Sequence, residues 1–312
     1  MAYRLEPGEA VANGIKRVVA EEIVSVAAQL TGQGAANRDE AIHEARKSIK
    51  KIRGLLRLIE TDLGDAFDSE NVRMRNIGRR LSRFRDAAAM VEIFDATKEK
   101  YRDDLGRHTL ASVRRGLLAR KKQGENKDAI EKVLARIAAT ILATGKRVPT
   151  WPAGTGFRSV AAGLEKTFRK GRRAMARARQ NPSAENFHEW RKRAKDLWYQ
   201  VRLLEHTPDE VMQSYEKSLK HLEGLLGDEH NLEVLREKVR AEPAFYGKEA
   251  EVAFFLDLLD RRRKELRDAA LWVGEHTYKE NPRQYGKRMR GIWKAREEGA
   301  EHAGSASATN AP

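Results

Sequence analysis

Apolar residues recur along this chain every three to four positions, and alternation of apolar and polar residues is rare. That period is the signature of amphipathic helices with one face in a core. Val, Ile and Thr do not gather into alternating runs, and turn dipeptides at strand spacing are few, so strands are not expected. The pattern predicts helices over 8–31, 38–62, 67–85, 87–104, 106–122 and 126–144 in the first half. In the second half it predicts 157–180, 183–206, 209–226, 231–241, 246–277 and 282–297. Between the halves, Val148-Pro149-Thr150-Trp151-Pro152-Ala153-Gly154-Thr155-Gly156 cannot continue a helix. The Ala-, Gly-, Ser- and Thr-rich stretch from 298 to 312 is expected to be a disordered tail.

The two halves repeat one another. His43-Glu44-Ala45-Arg46-Lys47-Ser48-Ile49-Lys50 returns as His188-Glu189-Trp190-Arg191-Lys192-Arg193-Ala194-Lys195, shifted by 145 positions. At the same shift Arg57-Leu58 returns as Arg202-Leu203, Ile77 as Leu222, Leu81 as Leu226, and Arg85-Asp86 as His230-Asn231. One offset carries two helices and their connection without an insertion, which points to duplication and to two related bundles facing each other about a pseudo-two-fold axis. The expected organisation is a first bundle over 1–148, a linker over 149–156, a second bundle over 157–297 and the tail.

Each repeated helix has one basic side. At about 100° per residue, His43, Arg46, Lys47, Lys50, Arg53 and Arg57 share an arc of roughly 120°. Ile42, Ala45, Ile49, Ile52, Leu56 and Ile59 lie opposite. In the second copy His188, Arg191, Lys192, Lys195 and Arg202 face away from Phe187, Ala194, Leu197, Val201 and Leu204. Trp190 falls on the apolar side, and Trp198 takes the place of Arg53 at the edge of the basic arc. Like charges three and four residues apart cost about 0.2–0.5 kcal/mol per pair. A single basic helix is most simply a solvated face; the same arc twice, headed each time by a histidine, is better explained by an anionic ligand. Arg79, Arg80, Arg83 and Arg85, and Lys220, His221 and His230, are candidates to extend the track; Arg172, Arg173 and the run Arg261-Arg262-Arg263 are equally well read as surface charge. Asp86 and Asn231 are placed to cap new helices or to orient a basic side chain.

Composition narrows the ligand class. Lys and Arg number 61 against 46 Asp and Glu, a formal charge of +15 over 312 residues. Such an imbalance calls for a polyanion: nucleic acid, an anionic membrane surface or a phosphate polymer. Cysteine is absent, which excludes thiolate chemistry and Cys-ligated zinc. No secretory start and no spanning apolar run is present, so a cytoplasmic protein is expected. His43-Glu44 and His188-Glu189 begin like a zinc-protease motif, but Lys47 and Lys192 stand where the second histidine belongs, so no metal site is expected. A phosphate-cradling Gly-rich loop and paired carboxylates beside the basic arcs are also missing, so no cofactor and no catalysis are expected.

In these motifs the chain resembles the CHAD domain (conserved histidine, α-helical). The likeness rests on the two His-x-x-Arg-(Arg/Lys)-x-x-(Lys/Arg) helices at 43–57 and 188–202. Leu-x-x-x-Arg-Asp at 81–86, Leu-Gly-Asp-Glu-His-Asn-Leu at 226–232 and Tyr-x-Leu-x-x-Gly-Glu at 3–9 support it, and together they span about 3–297. The resemblance implies an all-α fold of two pseudo-symmetric four-helix bundles with a basic pore between them that binds inorganic polyphosphate. By position it assigns His43, Arg46, Lys47, Lys50, Arg53, His188, Arg191, Lys192 and Lys195 to binding. It further implies an accessory role at polyphosphate or polyhydroxyalkanoate granules. Members often accompany a CYTH triphosphatase domain, whose acidic strand motif is missing here, and Trp198 departs from the basic pattern. The competing reading is a nucleic-acid-binding helical protein; a polyphosphate- or phosphoester-processing enzyme ranks behind it.

Overall fold

The computed structural model describes residues 3–6, 8–32, 38–106, 109–123, 127–152, 154, 156–204 and 210–309, with backbone alone at 83–88, 123, 127–129, 159, 296 and 299–309. Every regular element among them is helical. The first half holds α1 (Val11–Leu30), α2 (Arg38–Leu58), the single turn α3 (Glu60–Leu63), α4 (Ala66–Lys100), α5 (Ala111–Gln123) and α6 (Lys127–Gly145). After a 3-10 turn at Val148–Thr150 come α7 (Arg158–Gln180), α8 (Ala184–Leu204), α9 (Glu210–Ala241), the turn α10 (Pro243–Tyr246), α11 (Glu249–Thr277) and α12 (Pro282–Thr309).

Three expectations are corrected. The helices expected at 67–85 and 87–104 are the single helix α4, and those at 209–226 and 231–241 are the single helix α9. Asn231 therefore sits inside a helix and caps nothing; Asp86 is likewise within α4, its side chain outside the described residues. Helix formers continue past both positions, and the two glycines at 224 and 227 together cost only about 2 kcal/mol, too little to break a packed helix. The stretch from Glu298, expected as a disordered tail, continues α12 as far as Thr309, in keeping with its alanine content; 310–312 lie outside the described residues.

The apolar faces read from the sequence lie in the core. Ile42, Ala45, Ile49, Ile52, Leu56 and Ile59 are buried, as are Phe187, Trp190, Ala194, Leu197, Val201 and Leu204. The larger of two hydrophobic clusters joins α1, α2, α6, α7, α8 and α12 with the first parts of α4 and α9 and the end of α11. The smaller joins the last parts of α4 and α9 with α5, α10 and the start of α11. Each cluster draws on both halves of the sequence.

The packing repeats with the sequence. α1 lies on α2 and α2 on α4; correspondingly α7 lies on α8 and α8 on α9. Across the halves α2 packs on α8, where Gly54 meets Tyr199, its own counterpart at the 145 shift. A Cβ on Gly54 lies 3.4 Å from that of Tyr199, and the Gln200 side-chain amide donates to the Gly54 carbonyl at 3.0 Å. Residues 3–6 tie the halves further, with the Leu5 amide donating to the Leu203 carbonyl at 3.0 Å. α7 crosses the end of α2 so closely that a Cβ at Gly163 lies 1.9 Å from the Leu58 carbonyl oxygen. Gly163→Ala is therefore expected to force α7 off α2 and to destabilise the protein by about 1–3 kcal/mol. Gly291→Ala, where a Cβ meets nothing within 4 Å, should stabilise by roughly 0.5–1 kcal/mol. Denaturant unfolding of both variants checks the pair.

Candidate anion-binding site

The α2–α8 crossing turns the basic sides of both helices into one cavity of about 620 Å³. α2 supplies His43, Arg46, Lys47 and Lys50, and α8 supplies His188, Arg191, Lys195, Trp198 and Tyr199. α9 closes one wall with Glu223, Gly224, Gly227, Asp228, His230, Asn231 and Val234. α4 closes another with Ser82, Ala89, Met90, Glu92 and Ile93. The apolar seam fixes this arrangement: with Ile49 and Ala194 buried, the neighbouring Lys50 and Lys195 have nowhere else to point.

The cations disfavour one another. Burial, and then Lys195, Arg191 and Arg46, hold the Lys50 ammonium well below the usual lysine range against the weaker pull of Glu223. Burial also lowers Lys195, although Glu223 both attracts it and accepts its hydrogen bond. Arg191 is lowered by burial, partly offset by Glu223. Its Nε is buried with no hydrogen-bond partner among the described residues, and so is Nδ1 of His188. His188 and His230 face each other with ring centroids 4.3 Å apart. Burial, Arg191, His188 and Lys50 push His230 down to about 3, so its ring is neutral at pH 7. Desolvated, crowded cations of this kind are stabilised by an anion that replaces the lost water. Lys47, by contrast, sits 3.0 Å from Glu44 at the rim.

Residues 19–240 match the CHAD domain, well over half of the chain. The chain belongs to the CHAD domain family. No curated protein matches the sequence. The match begins in α1 and ends in α9, so α11 and α12 lie beyond it although both pack against matched helices. CHAD domains are associated in general with polyphosphate binding.

Of the residues singled out in this CHAD sequence, His43, Arg46, Lys47, Lys50, His188, Arg191, Lys195 and His230 line the cavity. Arg53 and Arg57 do not: Arg53 Nε donates to Asn71 at 3.1 Å, and Arg57 Nη1 donates to Asp196 at 2.9 Å. Along α2 they lie about one and two turns beyond Lys50, on either side of Gly54. Arg202 lies over the Tyr3 and Trp198 rings, and exposed Lys192 pairs with Glu189. Arg79 and Lys220 are exposed on α4 and α9 and are not among the lining residues. The side chains of Arg83 and Arg85 lie outside the described residues. Arg263 is buried between Glu229 and Glu233 and serves the α9–α11 contact.

Of the α9 wall, sequence reasoning named His230 and Asn231 but missed the rest. Glu223, Gly227, His230 and Val234 recur at helical spacing, so a continuous reading of 210–241 would have put the carboxylate on the same face as the histidine. Glu223 and Asp228 place two carboxylates in the cavity beside the basic arcs. Among the described residues no group of three or more His, Cys, Asp or Glu is arranged to hold a metal ion, and no helix is long and apolar enough to cross a membrane.

The histidine shift has a sign. An unfolded His230 takes its proton near pH 6.5, whereas the folded one resists until about 3. Between those values the unfolded state binds more protons, so this residue costs stability as pH falls through the window. Relative to His230→Asn, the wild type should lose stability between pH 7 and pH 4. Paired thermal melts across that range check it, and parallel curves would remove His230 from the acid response.

Proposed function

We propose that this CHAD protein binds inorganic polyphosphate in the cavity, as a non-catalytic accessory or granule-targeting module. In this reading two pseudo-symmetric four-helix bundles, α1, α2, α4 and α6 against α7, α8, α9 and α12, present their basic helices to a shared pore. The observation that carries it is the convergence of half-buried Lys50, Arg191 and Lys195 on one cavity, each with its charge disfavoured by its surroundings. A linear phosphate chain supplies closely spaced oxygens with no bulky base to accommodate. Arg46 and Arg191 offer forked donors for two oxygens at once, while Lys50 and Lys195 act as point charges. The chain's field favours the charged form of Lys50, so binding takes up protons where that lysine is partly neutral.

Nucleic acid fits less well. The cavity lies within the roughly 300–1,000 Å³ span of small-ligand pockets and does not admit a duplex. A single strand is usually gripped on open aromatic faces. Trp198 and Tyr199 do line the cavity, and they are the one feature favouring this reading. Yet Tyr199 is fully buried, the two rings stack on each other at 4.8 Å, and the Trp198 indole donates to Glu216 at 2.6 Å.

A competition titration between long-chain polyphosphate and single- or double-stranded oligonucleotides at matched phosphate concentration decides between them. Polyphosphate is expected to win, and preference for either oligonucleotide overturns the proposal. Arg46→Glu with Arg191→Glu should lower polyphosphate affinity by at least about 100-fold, from two reversed charge-assisted contacts, while circular dichroism shows helicity retained. Sustained phosphate release from polyphosphate and magnesium would overturn the non-catalytic part.

A further inference from the structure

The cavity accounts for little of the chain's excess charge. Arg46, Lys47, Lys50, Arg191 and Lys195 are opposed there by Glu92, Glu223 and Asp228, and the histidine facing them is held neutral. α7 alone carries eight Lys and Arg against the single carboxylate of Glu165, close to half of the net +15. The duplication supplies an internal control. α1 occupies the same place in the first half, packs on its neighbours in the same way, and carries two cations and two carboxylates. The fold therefore does not require a basic helix at this position.

The α7 charge is ordered as well as abundant. Lys166, Lys170, Arg173 and Arg177 follow one another at helical spacing along one stripe. Lys166 is 3.0 Å from Glu60 on α3. Lys170, Arg173 and Arg177 are exposed and have no ion-pair partner among the described residues. This stripe begins where the basic side of α2 ends. The close crossing of Gly163 over Leu58 brings α7 beside Arg57, and Arg57 and Arg193 share buried Asp196 at 2.9 and 3.6 Å. Lys170 lies within reach of the charges of Arg57 and Arg193. Cations thus follow at about turn spacing from Lys50 through Arg53 to Arg57 on α2, and again from Lys170 through Arg173 to Arg177 on the neighbouring α7.

We infer that the exposed basic stripe of α7 is a second contact surface for the same linear polyanion, holding the length of phosphate chain that the cavity cannot enclose. The inference rests on the cavity reading and extends it to chain-length preference: a short chain saturates the cavity alone, and a long one also lies along α7.

The test uses the full chain with Lys170→Gln, Arg173→Gln and Arg177→Gln together, since glutamine keeps helix propensity and none of the three lines the cavity. Affinities for tripolyphosphate and for a long-chain preparation are measured against salt. The expected result is unchanged tripolyphosphate affinity, long-chain affinity lowered about tenfold at low salt, and a salt slope smaller by about two units. Unchanged long-chain affinity overturns the inference, as does an equal fall for both ligands, which would mark a disturbed cavity. If the wild type binds neither phosphate ligand, the cavity reading fails and this one falls with it. If it binds both and the triple variant instead loses only a duplex oligonucleotide, the α7 stripe belongs to nucleic acid and only this inference is lost.

Discussion

The contact of α2 with α8 brings together two helices whose polar sides repel. Gly54 against Tyr199, the Gln200 amide on the Gly54 carbonyl, and the buried rows around Ile49 and Ala194 hold them at close range. A fully buried aliphatic side chain contributes about 1.5–3 kcal/mol, whereas each like-charged pair costs only tenths. The seam therefore outweighs the repulsion and forces the lysines and arginines on its flank into a shared space. The electrostatic conflict is resolved in hydration and protonation, seen in the lowered position of Lys50, and not by separating the helices.

The same balance explains why carboxylates enter the cavity at all. Glu223 accepts the Lys195 hydrogen bond and attracts Lys50 and Arg191, so the cavity is partly neutralised from within. An arriving anion must compete with that internal partner.

How much was legible in the sequence depended on whether a position spoke through its own helix. The 145-residue repeat and the basic arcs of α2 and α8 needed only helical periodicity, and His43 to Lys50 and His188 to Lys195 indeed meet. Periodicity gives direction around an axis and not distance along it, so Arg53 and Arg57 share the basic arc although the α2 lining of the cavity stops at Lys50. The break assumed at Asp86 and Asn231 came from weighing local capping preference above the apolar stripe that runs through both. Splitting α9 there hid the face that carries Glu223 and His230 together. Trp198 was legible at the edge of the basic arc, whereas Tyr199 was not, because its place on the cavity depends on the partner helix.

The unbroken course of α4 and α9 has a mechanical corollary. At about 1.5 Å per residue each is roughly 50 Å long, and each roots in the larger hydrophobic cluster at one end and in the smaller at the other. Between those anchorages both form walls of the cavity. The walls are thus twin beams fixed at both ends, and any guest drawing them together would alter the angle between the two clusters and be felt far from where it sits.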